Sequence, residues 1–361
     1  MASAEDVDVL VVGAGPAGSS TAEYAALGGA NVLVIERRPV IGVPVRCGEF
    51  MPQEDEVRRI FPEADLGTVF EVPSHLRSLD TNKIRIYSPR LTSFEVPFHG
   101  YTTYRDRFDQ FLADRAMKAG AKIMTGVTCT SVQDKVVSTS MGNVHAKVIV
   151  GADGPLSVVA KSLGLERSWD LCPAAAAFAK GDFEPVPEMY FGNVAPGGYA
   201  WVIPKKEGAN VGLGYSERYA RGDLNFYWRE FLKQRPLEAG KLNGKLVPMS
   251  GPIPTTVKGN AMVVGDAAGQ VMAVNGGGIP IAMICGRIAG EVASMHAKGR
   301  ADLLEYERRW RQQVGGPLRT AVGTKRLAML AFGSQWRLEQ AMRFLGPRRM
   351  GRAIRCQSVL P

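Results

Sequence analysis

The run Val9-Leu10-Val11-Val12-Gly13-Ala14-Gly15-Pro16-Ala17-Gly18, with Glu36 closing a second apolar run 18 residues beyond Gly18, constrains this chain most. A glycine-rich turn between strand and helix, in a β-α-β unit that ends on a carboxylate, is the pattern that holds an adenine dinucleotide. Gly13 makes the tight turn, Gly15 lets the backbone approach a pyrophosphate, and Gly18 lets helix and strand pack closely. The helix N-terminus offers unpaired N–H groups to the pyrophosphate. Glu36, with Arg37 beside it, is placed on the ribose side.

With 361 residues, 45% of them hydrophobic, the chain can bury one large core or two closely joined ones. Cys47, Cys129, Cys172, Cys285 and Cys356 are widely spaced and odd in number, which argues against a disulfide framework or a zinc site and fits a reducing cytoplasm. Met1 leads through Glu5-Asp6 straight into the first strand, which predicts no signal peptide. No apolar run approaches the roughly 20 residues a spanning helix needs.

The net charge of +9 is not spread as nucleic-acid binding would have it. Residues 319–361 carry nine of the Lys and Arg residues against one acid, Glu339, so nearly all the excess lies in the tail. There the cations alternate with Leu327, Met329, Leu330, Phe332, Trp336, Met342, Phe344 and Leu345. That mixture suits a helix resting on anionic lipid or on an acidic partner, at the inner face of a membrane, or a solvated face with a half-buried stripe.

Along the chain, two kinds of segment alternate. After the β-α-β unit of residues 8–36, short alternating runs from Ile84 to Pro97 predict antiparallel strands, and Asp106 to Ala119 a helix. Residues 170–250 are again strand-rich, and after Asn260 the chain returns to the first domain with Ala261 to Asp266 and then stays helical. The expected class is α/β: a Rossmann-type cofactor domain (1–80, 100–165, 258–315) interleaved with an antiparallel β-sheet substrate domain (81–99, 166–257) and followed by a basic helical region (316–361).

Three further segments identify the dinucleotide as FAD. Val263-Val264-Gly265-Asp266-Ala267-Ala268 ends a strand in a carboxylate suited to a ribityl hydroxyl. Gly276-Gly277-Gly278-Ile279 lets backbone N–H groups approach the carbonyl edge of an isoalloxazine ring. Gly151-Ala152-Asp153-Gly154 with Ser157 resembles the Asp-Gly fingerprint of flavoprotein hydroxylases, although Ala160 stands where that fingerprint usually has arginine.

Pro44-Val45-Arg46-Cys47-Gly48-Glu49, Tyr104-Arg105-Asp106-Arg107-Phe108-Asp109, Pro196-Gly197-Gly198-Tyr199-Ala200-Trp201-Val202-Ile203-Pro204-Lys205 and the Gly265 and Gly276 segments together resemble the geranylgeranyl reductases, especially the archaeal digeranylgeranylglycerophospholipid reductases. The resemblance runs to about residue 315. It implies a flavoprotein of the p-hydroxybenzoate hydroxylase fold that saturates C=C bonds of geranylgeranyl chains in membrane-lipid precursors. It also implies FAD contacts at Ala17, Glu36, Cys47, Gly48, Arg105, Val127, Asp266, Gly278 and Ile279, to which the motifs add Gly13, Gly15, Gly18, Arg37, Asp153 and Gly277. Phe50 and Asn275 depart from the family pattern, where glycine and Thr or His are common.

Reduction of an unactivated alkene needs an electron pair from reduced flavin, a proton on the neighbouring carbon, and exclusion of water. Tyr199, Trp201, Tyr190 and Phe191 are candidate walls of an apolar tunnel, or ordinary sheet core. Cys47, with the Arg46 cation beside it, is the candidate proton donor or flavin contact, so Cys47, Tyr199 and Trp201 form the expected catalytic set. Arg105 is expected on the FAD phosphate or ribityl chain, with an ion pair to Asp109 as its alternative. His75, His99, His145 and His296 stand singly, so no metal is assigned. The competing functions are a flavin monooxygenase or halogenase on the same fold and a membrane-associated electron-transfer protein. The external reductant stays open between NADPH and ferredoxin, and with it a redox partner.

Overall fold

The computed structural model describes residues 5–359, and the expected start without a leader falls partly on residues 1–4, outside them. The chain opens with β1 (Glu5–Val12), α1 (Pro16–Leu27) and β2 (Val32–Glu36), followed by β3 (Phe50–Pro52) and α2 (Glu54–Ile60). A long hairpin, β4 (Arg77–Tyr87) and β5 (Ser93–Thr103), leads to α3 (Arg105–Lys118) and β6 (Lys122–Thr125). Next come β7 (Cys129–Gln133), β8 (Val136–Thr139), β9 (Gly142–Gly151) and α4 (Val158–Ser162). The excursion that follows contains β10 (Leu171–Ala179), β11 (Glu188–Tyr190), β12 (Tyr199–Lys205), β13 (Gly208–Gly214), α5 (Leu224–Gln234) and β14 (Asn243–Pro248). The chain then runs through β15 (Val257–Lys258), β16 (Ala261–Val263), α6 (Ile279–Ala297), α7 (Leu304–Gln313), α8 (Gly315–Phe332) and α9 (Gln335–Ile354).

Strands order as β15-β16-β9-β1-β2-β6 in the first sheet, whose core pairs are parallel, with Val9 opposite both Val32 and Val148. A strand flanked on both sides and covered on both faces must be apolar throughout, which is why Val9 to Val12 read as one unbroken run. Helix α6 packs on α1 at the distance only small residues permit. A Cβ on Gly286 would lie 2.5 Å from the Ala17 carbonyl oxygen, and one on Gly290 2.3 Å from that of Thr21.

The second sheet orders as β14-β10-β13-β12-β11-β4-β5-β3. Its period of two divides β12 between two environments. Ala200 and Val202 join Val211, Leu213, Tyr227 and Phe231 in one core, whereas Trp201 and Ile203 join Ala174 and Ala176, with Tyr199, Phe50 and Val247 packed beside them. One expectation is corrected. The second sheet also takes β3 and the whole of β4 and β5, because Phe50 pairs with Thr102 and Arg77 with Thr103, so the expected assignment of residues 1–80 and 100–165 to the first domain overruns the sheet boundary. Helix α5, which covers the far face with Tyr227 and Phe231, interrupts the strands of the strand-rich 170–250 stretch.

Helix α9 is fastened to the hairpin by Glu339. Its side chain is fully buried; its oxygens accept from the Arg90 amide (3.1 Å), the Thr92 hydroxyl (3.3 Å) and Arg343 Nε (2.6 Å). Burial opposes ionisation, but hydrogen bonds from Ser88, Arg343 and the Arg90 amide outweigh it and hold the carboxyl at about 2. A carboxyl held below its unfolded value of 4.5 stabilises the fold fully above that pH and loses the contribution as pH falls toward about 2. Acid titration should therefore quench the tail's anchoring over that window, read by hydrogen exchange in α9. Replacement by Gln should flatten the response, and an unchanged profile in Glu339→Gln would contradict it.

Candidate active site

The dinucleotide end of the site is set by backbone. Gly13 sits at φ 102, in the left-handed region, and a Cβ there would meet the Ala152 carbonyl oxygen at 2.4 Å. Gly18 is tighter, with its hypothetical Cβ 1.8 Å from the Gly13 carbonyl oxygen. Nothing lies within 4 Å of the same position on Gly15, so the space above the turn is open. Gly15 caps α1 without any side-chain hydrogen bond, and Pro16 follows, which leaves the first N–H groups of the helix facing that space. Glu36 accepts from the Ala14 amide through Oε2 and from the Arg38 amide through Oε1, both at 2.9 Å. A carboxylate accepts about four hydrogen bonds, so capacity remains for a ligand hydroxyl. Arg37 is exposed, and Val127 is buried with its amide donating to the Glu36 carbonyl.

The second sheet brings the other residues to this end. Gly48 lies against β12, where its Cβ would sit 2.9 Å from Ile203 Cδ1 and 3.7 Å from Trp201 Nε1. Half-buried Cys47 precedes Gly48 on this loop, within electrostatic reach of Tyr199 and Arg105, and its Sγ accepts from the Glu49 amide at 3.3 Å. Tyr199 and Trp201 have ring centroids 6.0 Å apart, and Phe191 lies 5.7 Å from Tyr199. The Tyr199 hydroxyl donates to the Asn275 carbonyl, and the Asn275 side chain accepts from Gly277 N (2.9 Å) and donates to the Ile354 carbonyl (3.2 Å). Burial pushes the Tyr199 hydroxyl well up, so it stays protonated and donating. Asp266 lies near Gly278, whose Cβ would be 3.4 Å from its Oδ1, and Lys245 on β14 reaches its Oδ2 at 3.5 Å. Ile279 begins α6 directly after.

The structure thus gathers Cys47, Gly48, Tyr199 and Trp201 with the Asn275–Ile279 loop, brings Arg105 against the Cys47 loop through its amide to Glu49 Oε1 (2.9 Å), and leaves Tyr190 elsewhere. Tyr190 is not part of this wall. It stacks on Tyr87 (4.6 Å) and meets Phe231 (5.4 Å) in the core on the opposite face, since one step along a strand reverses direction. The Arg105 fork is engaged by Asp109, at 2.8 Å from Nε and 2.9 Å from the terminal nitrogen. Burial opposes the Arg105 charge, yet the Asp109 carboxylate outweighs it and keeps the guanidinium protonated. Asp153 is taken up locally, accepting from Ser157 Oγ (2.5 Å) and the amides of Val158 (2.7 Å) and Val159 (3.2 Å) at the start of α4. Ala160 is fully buried, so the arginine of the hydroxylase fingerprint has no room. Of the departures from the family pattern, Phe50 fills the space beside Gly100, whose Cβ would meet its ring at 2.3 Å. Asn275 supplies the loop contacts given above.

Sequence reasoning missed Asn210, Glu49 and Lys205 as site-forming residues. A polar Asn210 inside the apolar β13, on the Trp201 side of the sheet, was the available signal.

The fold and the site define a Rossmann-type dinucleotide-binding protein whose second sheet meets the Asp266 and Asn275 segments through Lys245 and Tyr199. The comparisons narrow this. The family model described as geranylgeranyl reductase catalytic domain matches residues 177–251, and that described as NAD(P)-binding Rossmann-like domain matches 11–75. The chain is 38% identical to digeranylgeranylglycerophospholipid reductase of Methanocaldococcus jannaschii, over 85% of this chain and 82% of that one. It is 36% identical to digeranylgeranylglycerophospholipid reductase 2 of Methanothermobacter thermautotrophicus, over 89% and 87%. Among solved structures, a geranylgeranyl bacteriochlorophyll reductase-like protein of Thermoplasma acidophilum superposes with TM-score 0.83 at 28% identity, covering 93% of this chain and 90% of that one. A myxobacterial halogenase shares the fold, with TM-score 0.71 at 19% identity over 88% and 82%. This chain belongs to the digeranylgeranylglycerophospholipid reductase family.

Proposed function

We propose that this protein is an FAD-dependent reductase that saturates C=C bonds of geranylgeranyl chains on isoprenoid lipid precursors. The observation that carries the reading is the meeting of Cys47, Tyr199 and Trp201 with the Asn275–Ile279 loop beside Asp266. The residues present fit the cofactor. An open space over Gly15 and uncapped amides of α1 suit a pyrophosphate, and Glu36 has spare acceptor capacity for a ribose. Asp266 suits a ribityl hydroxyl, and Gly277, Gly278 and Ile279 allow close backbone approach to a flat ring. Arg46 Nε is buried without a hydrogen-bond partner among the described residues, a donor consistent with an anionic ligand nearby.

When bound, the flavin supplies the electron pair for alkene reduction. Tyr199, Trp201 and Phe191 exclude water from the reacting bond and place aromatic faces against developing positive charge. The Cys47 thiol, steadied by the Glu49 amide, gives its proton to the neighbouring carbon and recovers one from solvent. The test is anaerobic. Reduced protein mixed with digeranylgeranylglyceryl phosphate should reoxidise its flavin without oxygen, and failure with every prenyl substrate would point to the oxygen-dependent chemistry of the same fold.

The lipid is collected at a membrane surface, by α8 and α9. No helix among the described residues is long and apolar enough to cross a bilayer. Leu330, Trp336 and Phe344 are 71%, 62% and 73% exposed, Arg326 and Arg337 are exposed on the same helical stretches, and Arg348 and Arg352 are exposed beyond the break in α9 at Gly346 (φ 57). The one acid of this region, Glu339, is buried and paired, so it does not neutralise that surface. Large apolar tips among cations fit an anionic bilayer at its cytoplasmic face. Co-sedimentation with anionic vesicles should fall about tenfold in Trp336→Ser/Phe344→Ser, at about 1 to 2 kcal/mol for two lost apolar contacts, and weaken with salt. Equal binding to neutral vesicles would contradict the charge argument.

A further inference from the structure

Three buried polar side chains, none of them assigned above to cofactor or substrate, converge beneath the Cys47 loop. Glu49 is 4% exposed and sits at φ 62, a left-handed conformation that a glutamate adopts only where its surroundings fix it. They do so fully. Its carbonyl accepts from Thr103 N (2.9 Å), its Oε1 from Arg105 N (2.9 Å) and Lys205 Nζ (2.9 Å), and its Oε2 from Asn210 Nδ2 (2.9 Å). The Lys205 side chain is 6% exposed and lies 4.5 Å over the Tyr104 ring. Asn210 is 3% exposed and uses every group of its amide: Oδ1 accepts from Trp201 Nε1 (2.8 Å), while Nδ2 donates to Glu49 and to the Cys47 carbonyl (2.8 Å).

A buried ion pair and a saturated amide stabilise little by themselves, because desolvation offsets most of their attraction. What they do well is fix one geometry. Here one amide ties the backbone of Cys47 to the ring of Trp201, while Glu49, locked by Lys205 and Asn210, supplies through its own N–H the hydrogen bond that orients the thiol. We propose that Asn210, Glu49 and Lys205 are positioning residues that set the Cys47 thiol in register with the Tyr199/Trp201 wall. For turnover this rests on the reading of the site as the alkene-reducing centre; the geometric claim does not.

The discriminating variant is Asn210→Ala, which cuts the tether and leaves the Glu49–Lys205 pair in place. Cys129, Cys172, Cys285 and Cys356 are all buried, so mass-mapped alkylation by iodoacetamide reports Cys47 selectively. In protein carrying its flavin, the Cys47 alkylation rate should rise about tenfold on loss of the buried hydrogen bond. Turnover should fall about 100-fold from thiol misplacement, with KM for the prenyl lipid and flavin content changed less than twofold. Should Asn210→Ala not fold, Trp201→Phe removes the donor to Asn210 Oδ1 together with part of the buried ring beside Gly48, and should shift alkylation in the same direction. A folded Asn210→Ala with wild-type alkylation and wild-type turnover overturns the proposal. Faster alkylation in a protein whose wild type reduces no prenyl lipid upholds the positioning and overturns the functional reading instead.

Discussion

Gly15→Val should yield a folded protein without flavin, whereas Gly18→Val should be strongly destabilised. The two positions are three residues apart in one motif, yet their surroundings are opposite. A Cβ on Gly15 meets nothing within 4 Å, and the residue's φ of −77 suits any side chain, so the substitution fills only the space proposed for the pyrophosphate. A Cβ on Gly18 would lie 1.8 Å from a backbone oxygen of Gly13, which is itself pinned at φ 102 against Ala152. Neither atom is at the end of a flexible side chain, so strand and helix must separate. Overpacking of that kind costs about 3 kcal/mol or more, a large share of the roughly 5 to 15 kcal/mol that holds a domain folded. Circular dichroism and released flavin distinguish the outcomes. Gly15→Val that keeps a full complement of flavin would remove the motif from the cofactor site.

The second large effect is expected at Cys47. If its thiol delivers the proton, Cys47→Ala should lower turnover by about 100-fold or more, the scale of a lost general acid. Flavin content should be unchanged, since the backbone contacts of the loop, from the Asn210 side chain to the Cys47 carbonyl and from the Thr103 amide to Glu49, do not use the sulfur. Cys47→Ser, whose hydroxyl is a far weaker acid than the thiol, should recover little of the loss. Turnover equal to wild type in the alanine variant would take the thiol out of the mechanism.

Much of this was legible from residue order alone, and the reason differs from place to place. The glycine turn and Glu36 are readable because the backbone at Gly13 and Gly18 tolerates nothing else. The alternation of domains is readable because parallel strands buried on both faces look unlike the alternating runs of β4 and β5. Which side a residue faces is not readable from its type. Tyr190 and Trp201 are both aromatic and both buried, and only the register of β11 against β12, with Met189 opposite Trp201, sends Tyr190 to the far core. The Arg105 and Asp153 side chains illustrate a second limit, since each also holds a neighbour four to six residues away, and residue order does not show how a side chain divides itself between such a neighbour and a ligand. The Asn210–Glu49 contact joins positions 161 residues apart and has no local signature at all.

The most direct measurement is the mass of the lipid product. After anaerobic incubation of reduced protein with digeranylgeranylglyceryl phosphate, the lipid should gain two hydrogens for each bond saturated, with nothing else added. A lipid recovered unchanged, or one that gains oxygen or halogen only when air is admitted, would contradict the account.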